Sequence, residues 1–310
     1  MGKYVLGRLV QFVPTVCGVA GLTFLLIHLV PGDPIEVLLG EDALAADRVQ
    51  LSARLGLDLP IWQQFWRYVG QLLHGRLGVS LFTDQPVAHM IAERLPATAE
   101  LAGCALVFAL LISFCLGIWA ATRAGQWPDR LAMTFSLLGF SMPNFWLGPL
   151  LIVVFALWLG LLPVSGRDGA ASVVLPALTL GTGMAAILSR LLRSAMLDVL
   201  HADFMRTAVA KGVTRRRQVW HHALKNALLP VITVIFLQAG ALLTGTILTE
   251  AVFAWPGLGS LMIEALNRRD YPVVQGGVLF IALVYVTMTL LADLLYAWAD
   301  PRIRYGRHGR

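Results

Sequence analysis

Charge is what this sequence has least of: Asp, Glu, Lys and Arg make up 14% of its 310 residues, whereas 57% are hydrophobic. Soluble domains carry roughly 25% charged residues, so a water-soluble globular fold is excluded and an all-α, polytopic membrane protein is expected. Cysteine is scarce too. Cys17, Cys104 and Cys115 each fall inside an apolar run with neither disulfide nor metal spacing, which predicts three buried thiols acting as small hydrophobes. A phosphate-binding loop is missing: the only Gly–Lys neighbours are Gly2-Lys3, with no Ser or Thr after the lysine, and the reversed pair Lys211-Gly212. Any ATP is therefore hydrolysed by another chain. No HExxH occurs, and the adjacent His221 and His222 would point about 100° apart on a helix, which disfavours a shared metal. Gly139-Phe140-Ser141-Met142 lacks the last glycine of an intramembrane serine protease motif. With no catalytic constellation left, the expected protein is not an enzyme. Its net charge of +6 comes without a basic face interleaved with aromatic residues, so nucleic acid is excluded as a partner.

Ionisable residues within the apolar runs are also few: Asp293, Arg190, Glu100 and Glu250. A centrally placed charge costs about 2.5–3.5 kcal/mol on insertion scales, and an ion-coupled carrier usually holds several at mid-depth. An ion-coupled secondary transporter is the alternative from a different class, separable by whether transport needs ATP. Asp293 reads as an inner-end carboxylate paired with an arginine, with a substrate contact as the other reading.

What the sequence does contain is six apolar runs. Residues 9–30 form the first, long enough for a hydrocarbon core of about 30 Å. No small-x-small cleavage site follows before Pro31-Gly32-Asp33-Pro34, so this run is a retained span and not a signal peptide. Further spans are expected over residues 97–121, 173–192, 228–248 and 274–298. The third span starts near Met142 after a lead-in from Leu131 and is interrupted by Pro143 and Pro149. Between the first two spans lies a polar segment with its own helical patterns. Leu44, Leu51 and Leu55 mark one helix; Ile61, Phe65, Val69 and Leu72 mark a second that begins at Pro60 and stops at Gly75; a third runs from Pro86 to Leu95. Residues 250–271 are too broken to span and too apolar for an ordinary loop, which predicts a re-entrant or surface-lying segment. With both termini inside, only Arg48, Arg54, Arg67, Arg76, Arg94, Arg167, Arg268 and Arg269 of the 24 Lys and Arg fall outside, as the positive-inside rule requires.

One strongly basic segment, Asp203 to Pro230, stands between two long apolar runs. Phe204, Ala208 and Gly212 recur every four residues, giving a helix a shallow small-residue face with Arg206, Lys211 and Arg215 around it. Gly212 then lets the chain turn before a second helical piece, Gln218 to Ala227, carries Val219, Trp220, Ala223 and Leu224 towards Pro230. Two short helices joined at a glycine beside a membrane resemble the EAA loop of ABC-type importer permeases. The likeness rests on Arg206-Thr207-Ala208, on Gly212 four residues after Ala208, and on His222-Ala223-Leu224-Lys225-Asn226-Ala227-Leu228-Leu229-Pro230. Arg206 and Thr207 replace the glutamate and first alanine of the general pattern, a departure that resembles the dipeptide, oligopeptide and nickel branch. Pro31-Gly32-Asp33-Pro34, Leu55-Gly56-Leu57-Asp58 and the stretches FWRYV (65–69), SMPNFWLG (141–148), FAWPGLG (253–259) and RRDYPV (268–273) resemble the same branch, dipeptide-type permeases most.

The resemblance implies the six-helix fold of ABC type I importer permeases with an extracytoplasmic helical insert. It divides the chain into the amino terminus and first span (1–30), the insert (31–95), a core of spans two to six (96–298) containing the coupling loop 203–230, and a tail (299–310). It also implies a subunit of an ATP-driven importer in the bacterial cytoplasmic membrane, forming a pathway for di- and oligopeptides with a second homologous permease. Nickel chelates or glutathione-like compounds are the alternative cargo. Two ATPase subunits holding ATP and Mg and an extracytoplasmic substrate-binding protein complete the implied assembly; this chain holds no cofactor or metal. Because the amphipathic helices around Ile61 to Leu73 lie outside, they are expected to help receive the binding protein. Phe204, Arg206, Thr207, Ala208, Lys211, Gly212, Asn226 and Pro230 are then the ATPase-coupling residues. Gly181, Gly183, Gly240 and Gly245 either permit close helix packing or line the translocation pathway.

Overall fold

Helices make nearly all the regular structure among the described residues, which are 2–29, 35, 39 and 44–299 of the computed structural model. In chain order they are α1 (Gly2–Leu29), α2 (Ala45–Leu55), α3 (Ile61–Leu73), α4 (Val87–Thr122), α5 (Trp127–Ser141), α6 (Asn144–Leu151), α7 (Val174–Leu200), α8 (Asp203–Ala210), α9 (Leu224–Val252), α10 (Leu258–Asn267) and α11 (Tyr271–Ala299). α6 continues as a π-helical stretch, Ile152–Trp158, and α9 is entered through Arg215–Arg217 and π-helical Gln218–Ala223. No strand forms among the described residues; Val79 and Pro86 make one isolated antiparallel bridge. The Pro31-Gly32-Asp33-Pro34 turn and the tail from Asp300 onward lie outside the described residues.

Proline and glycine set several of the boundaries. α3 starts directly after Pro60, and α2 ends at Gly56 in the left-handed conformation, φ 72°. There the Leu57 N–H donates to the Ser52 carbonyl and the Gly56 N–H to Ala53, a Schellman closure. The third expected span is broken where Met142 precedes Pro143: the ring clash pushes Met142 to extended backbone, φ −85° and ψ 118°. α5 and the helix from Asn144 to Trp158 consequently meet at 107°. Pro96 and Pro230, by contrast, sit inside helices.

Two expected helix boundaries are absent. The short helix expected from Pro86 to Leu95 is fused with the second span in α4, whose 36 residues reach about 54 Å. The second helical piece of the basic segment runs without interruption into the fifth span, so Pro230 does not mark an end. Both Pro96 and Pro230 are accommodated within a continuous helix where a proline alone suggests a stop. Four helices are long and apolar enough to cross a membrane, over Val87–Thr122, Val174–Leu200, Arg215–Leu242 and Tyr271–Leu294; the bent pair makes a fifth, and α1 has a shorter apolar stretch, Phe12–Leu25, among the described residues. The cysteines depart from expectation. Cys17 and Cys115 lie on exposed helix surfaces and Cys104 is half-buried, because an apolar face in a membrane protein can meet lipid instead of protein.

The described chain forms two compact units. The first, residues 2–5, 99–255 and 285–299, is built around α7, whose Leu180, Ala185, Ala186, Leu188, Leu192 and Met196 are all buried. α4 presents to it a row of buried small residues at four-residue spacing, Ala105, Ala109, Ser113, Gly117 and Ala121. Such a row lets backbones approach closely. α5 packs on α7 through Ser136 and Ser189, whose buried hydroxyls lie 2.7 Å apart. Phe253 and Trp255, from the segment expected to be re-entrant or surface-lying, are fully buried, and Phe253 accepts a hydrogen bond from the Gly166 N–H.

The second unit comprises residues 6–98 and 256–284. Its core joins Val87 and Ile91 of α4 to Leu258, Leu261 and Ala265 of α10 and Val273 of α11. Buried Asp270 accepts hydrogen bonds from the Ser80 hydroxyl (2.5 Å) and the Leu81 N–H (3.2 Å), fixing the turn before α4. α3 leans on α1 through aromatic contacts of Phe24 with Phe65 and Tyr68, centroids 5.3 and 5.8 Å apart. Burial raises the Tyr68 phenol above its ordinary range, more than its hydrogen bond with Thr23 lowers it.

Candidate functional site

The basic segment begins where Ala202, in extended conformation, releases the chain from α7 into α8. Asp203 stands in the first turn, where a carboxylate complements the helix dipole, and the Thr207 hydroxyl donates to the Asp203 carbonyl at 3.3 Å. Met205 is the only buried residue of α8. Phe204, Arg206, Thr207 and Val209 point outward, and Ala208 is half-buried between the two faces. Arg206 and Asp203 pair at 3.4 Å, but both are so exposed that the pair contributes little. The helix ends in the same closure as α2: the Val213 N–H donates to Ala208, the Gly212 N–H to Val209, and Gly212 adopts φ 77°. A Cβ at Gly212 would meet open space, so the glycine is required by backbone conformation and not by room.

Gln218 holds the turn after Gly212. Its side chain is buried, its Nε2 donates to the Val213 carbonyl at 2.6 Å, and its N–H donates to Thr214. Val219, Ala223, Ala227 and Val231, four residues apart, turn inward and are buried, leaving Trp220 and the three arginines of Arg215–Arg217 exposed. His221 and His222 pack edge to face with ring centroids 5.4 Å apart. Asn226 is exposed and donates from Nδ2 to the His222 carbonyl, while Pro230 removes the N–H that would otherwise pair with the Asn226 carbonyl. Phe204, Val209 and Trp220 are thus exposed in the same segment as Arg206, Lys211, Arg215, Arg216 and Arg217, so exposed aromatics do accompany the cations here, contrary to the sequence expectation. Exposed aromatics interspersed with arginine suit docking of another protein.

An ion pair that the sequence did not reveal lies near the end of α7. Arg193 donates from Nε to Asp129 Oδ1 (2.5 Å) and from Nη2 to Oδ2 (2.7 Å), and the Gly125 N–H donates to the same carboxylate at 2.9 Å. Asp129 is almost wholly buried. The first turn of α5 is thereby fastened to the last turns of α7, the helix that leads into α8. The burial of Met205 and Gln218 also escaped sequence reading, because Phe204 and Val209 of the same helix are as apolar as Met205 yet exposed.

The four glycines have different surroundings. A Cβ on Gly181 would lie 2.7 Å from a Phe108 ring carbon and 2.8 Å from the Ala105 carbonyl oxygen, and one on Gly240 would lie 3.2 Å from Met288 Cβ. Both therefore sit at helix crossings. Gly183 faces open space; Gly245 belongs to α9, but its surroundings lie outside the described residues. Gly181→Ala should destabilise the protein by about 1–3 kcal/mol through overpacking. Gly183→Ala should be neutral or stabilising, since alanine favours helix by about 1 kcal/mol. Thermal unfolding of the two purified variants decides this, and equal midpoints would refute the crossing at Gly181.

Comparison with known proteins gives a consistent picture. Residues 113–305 match the family described as binding-protein-dependent transport system inner membrane component, and residues 1–102 match its N-terminal membrane-component family. The chain is 44% identical, over an alignment 337 positions long that covers 98% of it and 99% of the relative, to the dipeptide transport system permease protein DppB of Escherichia coli. It is equally 44% identical, over 98% of its length and 100% of the relative, to the glutathione transport system permease protein GsiC of Salmonella paratyphi A. Among solved structures, the inward-facing MetNI methionine ABC transporter aligns with a TM-score of 0.56 over 69% of this chain and 97% of that one, at 17% identity. That likeness concerns the fold.

Proposed function

The chain belongs to the inner membrane components of binding-protein-dependent transport systems, a permease and not an enzyme, and on that premise we propose that it forms half of the pathway by which an ATP-driven importer takes up di- and oligopeptides. A second homologous permease supplies the other half. Two ATPase subunits hold ATP and Mg, and an extracytoplasmic binding protein delivers the cargo. Both termini and the loop 203–230 face the cytoplasm, in keeping with the unequal distribution of Lys and Arg.

The observation that carries this reading is the α8 surface: an eight-residue helix, anchored by Met205 alone, that exposes Phe204 and Val209 beside a cluster of cations. Phe204, Arg206, Thr207, Ala208, Lys211 and Gly212 dock into a groove of the ATPase, with Asn226 and Pro230 at the entry to α9. ATP-driven closure of the ATPases moves this helix, and the spans exchange inward-facing for outward-facing access. Gly183, open to space, remains a candidate for the passage, whereas the crowding around Gly181 and Gly240 favours packing. The relatives favour peptide cargo, and the equal identity to a glutathione permease supports a glutathione-like compound as the second reading.

Reconstitution of the chain with its partner permease, ATPases and binding protein in proteoliposomes tests the proposal. Uptake of a labelled dipeptide should require both ATP and the binding protein; uptake driven by a proton gradient without ATP would revive the ion-coupled carrier. Orientation has its own test. Tags at Met1 and at Arg310 should both resist external protease in intact cells, and cleavage of either would contradict the placement of the termini.

A further inference from the structure

α3 has no buried residue, and its apolar side chains gather on one arc. Ile61, Trp62, Trp66 and Leu73 are 57%, 63%, 64% and 82% exposed, while Gln63, Gln64, Arg67 and Gln71 occupy the opposite arc. Such a helix, with tryptophan on its apolar side, belongs in the plane of a membrane interface. Its contact with α1 gives the depth. Phe24, on which Phe65 and Tyr68 rest, lies five residues before the end of α1 at Leu29, which is about 7.5 Å along the helix axis. Interfacial helices bury their apolar faces by about 5–10 Å.

Two cavities adjoin this contact. A groove of about 640 Å³ between α1 and α3 is lined, among the described residues, by Gly21, Phe24, Leu25, Ile61, Trp62 and Phe65. A second cavity of about 800 Å³ shares Phe24 with it and is lined by Arg67, Tyr68, Gln71 and Arg76 among others, with no carboxylate among the described residues of its wall. Neither arginine joins an ion pair among the described residues. Gly56 makes room for one of them, since a Cβ there would lie 2.6 Å from Arg67 Nη1. An apolar slot opening beside a cationic, hydrogen-bonding chamber has the form of an amphiphile with an anionic head.

We propose that α3 lies in the membrane interface at the C-terminal end of α1, and that the paired cavities hold one anionic phospholipid. Its acyl chain fills the groove against Trp62 and Phe65, and its phosphate meets Arg67 and Arg76. The proposal rests on the reading of α1 as a span of the importer, not on the direction of transport. It assigns the apolar arc of α3 to lipid, where the sequence led to the expectation of a binding-protein contact.

The test uses the intact transporter, exposed to equal amounts of phosphatidylglycerol and phosphatidylcholine and released gently for native mass spectrometry. Wild type should retain phosphatidylglycerol over phosphatidylcholine by about 10- to 30-fold, the preference that two arginines near a membrane surface confer. Arg67→Gln/Arg76→Gln should abolish the preference with all subunits still present in the same spectra, and Trp62→Ser should lower retention of both lipids. Unchanged phosphatidylglycerol retention in the arginine variant would overturn the headgroup site. In nanodiscs, lipids with brominated acyl chains should quench wild-type fluorescence more than that of Trp62→Phe/Trp66→Phe. Equal quenching, or a change in these tryptophans on adding the binding protein and not the brominated lipid, would overturn the interfacial helix and make the arc a protein-docking face. Loss of ATP-driven peptide uptake by wild type, with lipid retention intact, would sink the importer reading alone.

Discussion

Ala208→Trp and Gly212→Val are each expected to accumulate in the membrane at normal levels while losing at least tenfold in substrate-stimulated ATP hydrolysis. Ala208 sits half-buried between the Met205 anchor and exposed Phe204, so a tryptophan there overpacks whatever α8 docks against. Overpacking costs typically about 1–3 kcal/mol, which weakens docking by about 5- to 150-fold. Gly212→Val acts through the backbone. At φ 77° a β-branched residue is strained although nothing blocks its Cβ, and the left-handed conformation costs an L-residue about 1–2 kcal/mol. The Schellman closure then opens, and α8 no longer ends where Gln218 receives the chain. Arg216→Ala is the comparison, because it removes one of three adjacent exposed charges and should change hydrolysis by less than about twofold. Normal stimulation in both Ala208→Trp and Gly212→Val would show the segment to be a connector with no coupling role.

Asp129→Ala should be the most destabilising single change outside that segment. It leaves the Arg193 guanidinium without its two hydrogen bonds and the Gly125 N–H without its acceptor. Breaking a fully buried pair costs about 3–5 kcal/mol; partial exposure of Arg193 brings the expected loss to about 2–3 kcal/mol. Asp129→Asn keeps one acceptor for the fork and should lose less. Arg193→Lys keeps the charge but not the planar double contact, so it should fall between the two. Thermal unfolding of the purified transporter orders the series, and an Asp129→Ala midpoint equal to wild type would remove the pair from any structural role.

The parts of this architecture that depend on local backbone chemistry were readable from the sequence. Pro60 opens α3, Gly212 closes α8, and Met142 before Pro143 breaks the third span, because each follows from the φ range of one or two residues. Inward and outward faces were harder to read. In water an apolar side chain argues for burial, but along a span both the protein and the lipid side are apolar, so Cys17 and Cys115 look like core and are surface. Residue size at four-residue spacing is the better guide there, and the row Ala105, Ala109, Ser113, Gly117 and Ala121 was available to it. Contacts between distant positions left no trace: Asp129 and Arg193 are 64 residues apart, and neither one's neighbours point to the other. The continuity of α9 past Pro230 was hidden for a related reason, since a proline's local cost is visible and its accommodation within a long helix is not.

If the basic segment moves as proposed, that continuity determines how the movement reaches the other end of α9. α9 has 29 residues and is therefore about 43 Å long. Its two compliant points, the π-helical turn Gln218–Ala223 and the carbonyl freed by Pro230, both lie at the loop end. Beyond Pro230 the remaining turns have no such weakness and should behave as a stiff rod. With the pivot at one end, a swing of only about 5° carries Val252 through an arc of almost 4 Å, so no side chain midway need change its rotamer for the displacement to arrive.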